Sequence, residues 1–160
     1  MRAVSIKNET RSALGGPRLV YAKVAAEMLP GWELSLVFVG PTKARALNTS
    51  LRKKTYTPNV LSYVVGEKSG EIIICPSVAR VEAASYGLNP ADCILYFFIH
   101  GVLHIKGWRH GATMEKCEQE LMARFASSAS RSLINVTTHS HRHRHRDVPG
   151  KDGRRRRTLR

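Results

Sequence analysis

Residues 93–110 read CILYFFIHGVLHIKGWRH, the most apolar stretch of the chain. Opened by Asn89-Pro90 and carrying Ile94, Leu95, Phe97, Phe98, Ile99, Val102, Leu103 and Ile105, it reads as a helix that is apolar nearly all round. Such a helix has no broad solvent face, so it belongs at the centre of the fold with the other elements packed about it. Gly107 ends it and lets the chain leave in a conformation that other residues rarely adopt. His100 and His104 ride on this helix four residues apart, about 400° of rotation, which sets both imidazoles on one face. Five residues separate His104 from His110, enough chain to turn back and supply a third nitrogen. These are the only three histidines in the first 130 residues. Three neutral imidazoles fill three positions of a tetrahedral cation and leave the fourth open. That is the pattern of a catalytic rather than a structural zinc site, so one Zn2+ ion is expected here. In the open position a metal acidifies water or polarises a phosphoryl oxygen.

Upstream, residues 3–7 alternate weakly, as in an edge strand. Residues 18–29 repeat Leu19, Val20, Val24 and Met28 at helical spacing and stop at Pro30-Gly31. Residues 32–39 form a strand that becomes wholly apolar as it enters the core. Gly40-Pro41-Thr42 turns the chain, and Thr42 is the expected N-cap of a helix to about Leu51. Residues 59–65 and 71–75 read as two strands joined in a hairpin through a polar loop at 66–70. Pro76 starts a helix to about Tyr86, with Gly87 as its C′ residue. Thr113 is the expected cap of a last helix whose inner side carries Met114, Cys117, Leu121, Met122 and Phe125. This order of elements predicts an α+β fold: a small mixed sheet of about four strands, packed by helices around the central apolar helix that carries the histidines.

The formal net charge is +14. Ten Lys/Arg against two Asp in residues 131–160 leave +8 there, and the first 130 residues keep +6. The division predicts one folded domain over residues 1–130 and a basic His/Arg-rich tail over 131–160. The tail, with alternating His and Arg at 141–146 and four arginines at 154–157, has too little apolar surface to offset its ordering entropy and is expected to be disordered. A body that is basic in its own right favours a polyanionic partner. Cys75, Cys93 and Cys117 show no metal-type spacing and read as small core residues of a reduced, cytoplasmic protein. No charged-then-apolar signal segment opens the chain, and its longest apolar run, 93–99, falls far short of the ~20 residues of a membrane span. No membrane partner is expected.

The histidine spacing, with glycine three residues after the second histidine, also occurs in the metzincin proteases, whose motif reads HExxHxxGxxH. Their general base is the glutamate beside the first histidine. Here that position is Gly101, which cannot move a proton. Glu115 and Glu118, on the next helix, are the substitutes that the sequence offers.

Three blocks together carry a family resemblance: HGVLHIKGWRH (100–110), LNTSLRKKTYTPNVLSY (47–63) and GEIIIC (70–75). In order and spacing they resemble the YbeY family of zinc-dependent, single-strand-specific endoribonucleases of ribosomal RNA maturation, whose signatures are close to H-G-x-L-H-L-x-G-Y-D-H, LN…R-x-K…TNVLSF and GDIxIC. The resemblance covers roughly residues 32–125. It implies that His100, His104 and His110 are the zinc ligands and that Arg52, just upstream of the NVLSY strand, is the catalytic arginine. A guanidinium suits that role, because phosphodiester cleavage builds charge on non-bridging oxygens that it can bind in bidentate fashion. Lys53 and Lys54 then contact the RNA backbone or solvent. The implied partners are single-stranded RNA, an rRNA precursor, and the ribosome or a ribosomal subunit; the implied roles are rRNA processing and ribosome quality control. The attacking group is either water or the RNA 2′-hydroxyl.

The sequence departs from the family pattern in two places within the blocks. Arg109 stands where an aspartate usually precedes the third histidine, and Thr57-Pro58-Asn59 inverts the usual Pro-Thr-Asn. The alternative reading is a zinc-containing RNA- or ribosome-binding protein with little intrinsic catalysis, for which the basic charge would suffice.

Overall fold

The computed structural model describes residues 3–14 and 16–130. The expected tail at 131–160 lies outside the described residues. Four strands form one sheet: β1 (Val4–Asn8), β2 (Glu33–Phe38), β3 (Val60–Gly66) and β4 (Ser69–Ile74), in the order β1-β2-β4-β3. β1, β2 and β4 run parallel, and β3 is an antiparallel edge. The register sets Leu34 beside Val4, Leu36 beside Ile72 and Phe38 beside Ile74, so one face of the sheet is continuously apolar. Helices α1 (Arg18–Met28), α4 (Pro90–Ile105) and α5 (Ala112–Phe125) share one core cluster with that face. Helix α2 (Pro41–Arg52) packs on the opposite face, where Ala44 meets Val39, Leu61, Ile73 and Cys75. α3 (Pro76–Glu82) continues as a short 3-10 turn, Ala83–Tyr86, and ends at Gly87 with φ +65°. The mixed four-stranded sheet and its helices are the expected α+β architecture.

α4 is the centre of the molecule, with eleven of its sixteen residues buried. Asn89 caps it by accepting from the Asp92 N–H at 2.9 Å. Asp92 in turn accepts from the Ser127 N–H at 3.1 Å, tying the start of α4 to the chain after α5. In its middle, Gly101 lets the helix lie directly on the sheet. A Cβ at that position would sit 3.2 Å from Ile72 Cγ2 and 3.3 Å from Ser62 Cβ. So the position that holds the protease glutamate in metzincins is packed against β3 and β4 here, with no room for a long side chain.

Three expected details differ. Gly40, not Thr42, precedes α2, because Pro41 takes the first helical position with its φ preset and no N–H to satisfy. Gly111, with φ +155°, rather than Thr113 leads into α5, since the chain must turn sharply after His110. The hairpin loop is shorter than residues 66–70. Ser69 and Gly70 belong to β4, and Lys68 turns the chain with φ +50°. Among the described residues no single helix is long and apolar enough to cross a membrane.

Candidate metal centre

The one-turn spacing on α4 brings the His100 and His104 rings to 4.5 Å between centroids, edge to face, with their Nε2 atoms 3.0 Å apart. After Gly107, whose φ is +96°, the chain doubles back and sets His110 5.1 Å from His100 and 4.7 Å from His104, centroid to centroid. One nitrogen from each of the three rings lies within 4.8 Å of the others, a group that can hold a metal ion. An ion bound tetrahedrally at ~2.0–2.1 Å from nitrogen keeps two such ligands roughly 3.3 Å apart. The α4 pair is therefore already near ligand spacing. His100 and His104 are half-buried and His110 is exposed, so the centre is walled on the helix side and open on the other.

The far nitrogens of the α4 pair explain why the near ones converge. His100 Nδ1 donates to Glu118 Oε1 on α5 at 2.6 Å, and Tyr96 Oη donates to the other carboxylate oxygen at 3.3 Å. His104 Nδ1 faces the Trp108 carbonyl oxygen at 3.0 Å. A carbonyl only accepts, so the His104 proton is assigned to Nδ1 and its Nε2 carries the lone pair; the carboxylate assigns His100 the same way. Two lone pairs aimed at each other across 3.0 Å call for a cation between them. Burial is the main cause that lowers the His104 pKa from its usual 6.5, which keeps this ring neutral and ready to ligate at pH 7.

Arg52 is the last residue of α2 and is exposed. The structure thus gathers the three sequence-predicted imidazoles as a set, with Arg52 at the end of α2. Lys53 ends α2 in the left-handed conformation, φ +58°, and the basic loop that follows is fastened back onto the helix. Lys54 N donates to the Asn48 carbonyl at 3.3 Å, and Asn48 Nδ2 donates to the Tyr56 carbonyl at 2.9 Å. Arg109 is exposed next to His110.

Sequence reasoning named Glu118 only as a substitute base. Its contact with His100 gives it a different place, as an orienting group, and Glu115 makes no such hydrogen bond among the described residues. The available signal was its register: Glu118 falls on the α5 stripe of Met114, Leu121 and Met122, and a carboxylate in a buried stripe needs a partner. The Trp108 carbonyl and the Asn48 tether carried no sequence signal. A cleft of about 390 Å³, lined by Val20, Tyr21, Asp92, Leu95 and Phe125, lies at the other end of α4 and touches none of the histidines.

A family profile described as Endoribonuclease YbeY matches residues 5–133 of this chain. An Endoribonuclease YbeY of Neisseria meningitidis serogroup C is 37% identical over 101 residues, 56% of this chain and 57% of that protein. One from Aromatoleum aromaticum is 31% identical over 124 residues, covering 76% of this chain and 79% of the relative. One from Thiobacillus denitrificans is 33% identical over 112 residues, 64% and 76% of the two chains. The match thus spans just over half the length of the Neisseria relatives. In fold, the chain is similar to a Thermotoga maritima protein solved in solution, with a TM-score of 0.56 at 18% identity over 92% of this chain and 99% of that one.

Proposed function

The chain belongs to the Endoribonuclease YbeY family, and from that membership we propose that it is a zinc-dependent, single-strand-specific endoribonuclease. The single observation that carries the metal half of this reading is the convergence of the His100 and His104 Nε2 atoms at 3.0 Å, with His110 completing the set. His100, His104 and His110 hold one Zn2+ ion, which supplies a Lewis-acidic position open to a phosphodiester. Glu118 and the Trp108 carbonyl keep the Nδ1 protons in place so that both Nε2 atoms stay available. Arg52 binds non-bridging oxygens of the scissile phosphate, where charge grows as the bond breaks. The attacking oxygen comes from water or from the RNA 2′-hydroxyl, and the product ends distinguish them: a 2′,3′-cyclic phosphate excludes direct attack by water.

The substrate class is single-stranded RNA, in the setting of rRNA precursor processing and ribosome quality control, with the ribosome or one of its subunits as partner. A cytoplasmic location fits the three free cysteines. Residues 1–130 form the enzymatic domain in this reading. Residues 131–160 add salt-sensitive, sequence-independent affinity.

The test is metal analysis and RNA cleavage on protein truncated after residue 131, because four further histidines lie in the tail. His104→Ala is expected to lose the bound zinc and all but a trace of cleavage while unfolding as cooperatively as the parent. Full activity in that variant would sink the assignment. Arg109, a cation in place of the family's aspartate, favours the second reading, a zinc-containing RNA- or ribosome-binding protein. RNA binding that survives zinc removal, with no cleavage before or after zinc is restored, would establish it.

A further inference from the structure

The chain has eleven aromatic side chains, and ten of them are buried or half-buried. Tyr56 alone stands in the open, at 48% exposure. It follows Arg52, Lys53 and Lys54 with only Thr55 between, in the loop from α2 to β3. An exposed ring on a loose loop would mean little, but this loop is fastened at several points. Lys53 N donates to the Thr49 carbonyl at 3.1 Å, Thr49 Oγ1 donates to the Lys54 carbonyl at 2.9 Å, and Asn48 Nδ2 donates to the carbonyl of Tyr56 itself at 2.9 Å. Asn48 is fully buried, so its amide is a fixed anchor. Asn48 and Arg52 are one turn apart on α2 and therefore share a face. The Tyr56 backbone consequently rides on the same face of α2 that presents Arg52.

We propose that Tyr56 is a base-stacking platform, holding a nucleobase of single-stranded RNA next to the phosphate bound by Arg52, with Lys53 and Lys54 on the flanking backbone. A ring with three cations beside it matches what sequence-tolerant single-strand binding requires, a π-face for the base and positive charge for the phosphates. It also gives single-strand specificity a physical cause. The bases of a duplex are already stacked on each other and cannot reach the ring without unpairing. This inference rests on the ribonuclease reading of the site and deepens it by naming a substrate-recognition residue.

The test separates binding from cleavage. Binding of zinc-loaded, full-length protein is followed by fluorescence anisotropy with a 2′-O-methyl single-stranded oligonucleotide. Tyr56→Ala is expected to bind about tenfold more weakly and Tyr56→Phe within about twofold of the parent, because stacking needs the ring and not the hydroxyl. Zinc content and thermal midpoint should stay unchanged in both. An abasic position moved along the oligonucleotide should cost the parent about tenfold at one place and cost Tyr56→Ala almost nothing there. On cleavable RNA, Tyr56→Ala should raise KM and leave kcat within about twofold. A Tyr56→Ala protein that binds like the parent, or that loses the same affinity at every abasic position, overturns the platform. If that happens in a protein that still cleaves RNA, the ribonuclease reading stands alone. A parent that shows the base-dependent loss without cleaving supports the platform and sinks the ribonuclease reading.

Discussion

The metal centre has two unlike sides. On one, His100 and His104 project from the most buried helix of the molecule, and each has its outer nitrogen engaged, by the Glu118 carboxylate and by the Trp108 carbonyl. On the other, His110 and its neighbour Arg109 are exposed, as are Arg52 at the end of α2 and Tyr56 in the loop after it, whose backbone is tied to Asn48 and Thr49. The first side is built to present ligands at fixed spacing before an ion arrives. The second exposes Arg52, Tyr56 and Arg109 to solvent, where the proposed RNA substrate would meet them. Under the proposed function, the contrast teaches how one small domain separates two tasks: core packing fixes the geometry of the imidazole ligands, and solvent-facing charge handles the substrate. Substitutions on the two sides should accordingly differ in kind.

The sharpest test of the open side is Arg52. Arg52→Ala is expected to lower kcat on the order of 10²–10³-fold while zinc content stays at one per chain. Arg52→Lys should recover only a small part of that loss, because an ammonium cannot form the paired, planar hydrogen bonds of a guanidinium to two oxygens. Steady-state kinetics with metal analysis on the same samples checks both statements. Zinc lost in Arg52→Ala would break the division of labour, since it would put Arg52 among the groups that organise the metal.

Glu118 is the corresponding test of the buried side, with the next largest effect. Replacement by Gln keeps the volume and one acceptor but removes the charge that holds the His100 proton. Zinc affinity should fall about 10–100-fold, measured by competition with a chromophoric chelator. Cleavage at saturating zinc should fall much less, the reverse of the Arg52 pattern. Glu118→Gln with unchanged zinc affinity and a collapsed kcat would mean that Glu118 acts on the substrate, as the base that the missing glutamate at Gly101 provides in the proteases.

These two sides were unequally legible in the sequence. The apolar helix, its two histidines and the four strands follow from periodicity, because burying a continuous stripe is the largest favourable term in the fold and leaves a plain trace. Arg52 was legible only through family resemblance, since an exposed arginine after a helix looks like any solvated charge. Glu118 was visible as a carboxylate but not as a partner of His100, because that contact depends on how α5 crosses α4. The caps misread at Thr42 and Thr113 have a common cause. Side-chain capping competes with backbone devices, and here Pro41 and the positive φ of Gly111 define the helix starts without a side-chain cap. The hairpin turn was read too long because Ser69 and Gly70 are polar or small. Gly70 is in the strand because a Cβ there would lie 2.9 Å from Ile105 Cδ1, so its smallness serves packing rather than turning.

Arg109 carries the smallest expected effect and lies where the two sides meet, exposed yet adjacent to a ligand. If it belongs functionally to the open side, its charge adds to the attraction of RNA through solvent, where screening is strong. Arg109→Asp should then weaken binding of single-stranded RNA a few-fold at low salt, and the difference should vanish as ionic strength rises and the screening length shrinks from about 10 Å at 0.1 M toward 3 Å at 1 M. Zinc affinity should change little, because an exposed charge beside His110 acts on the ion through water. If it belongs to the buried side, the substitution restores the carboxylate of the family pattern, and zinc affinity should rise by about tenfold or more, independent of salt. Zinc competition and RNA binding, both measured across a salt series, decide between the two. The salt-dependent outcome would leave Glu118 and the Trp108 carbonyl as the groups that orient the metal ligands, and Arg109 as a part of the RNA-facing surface.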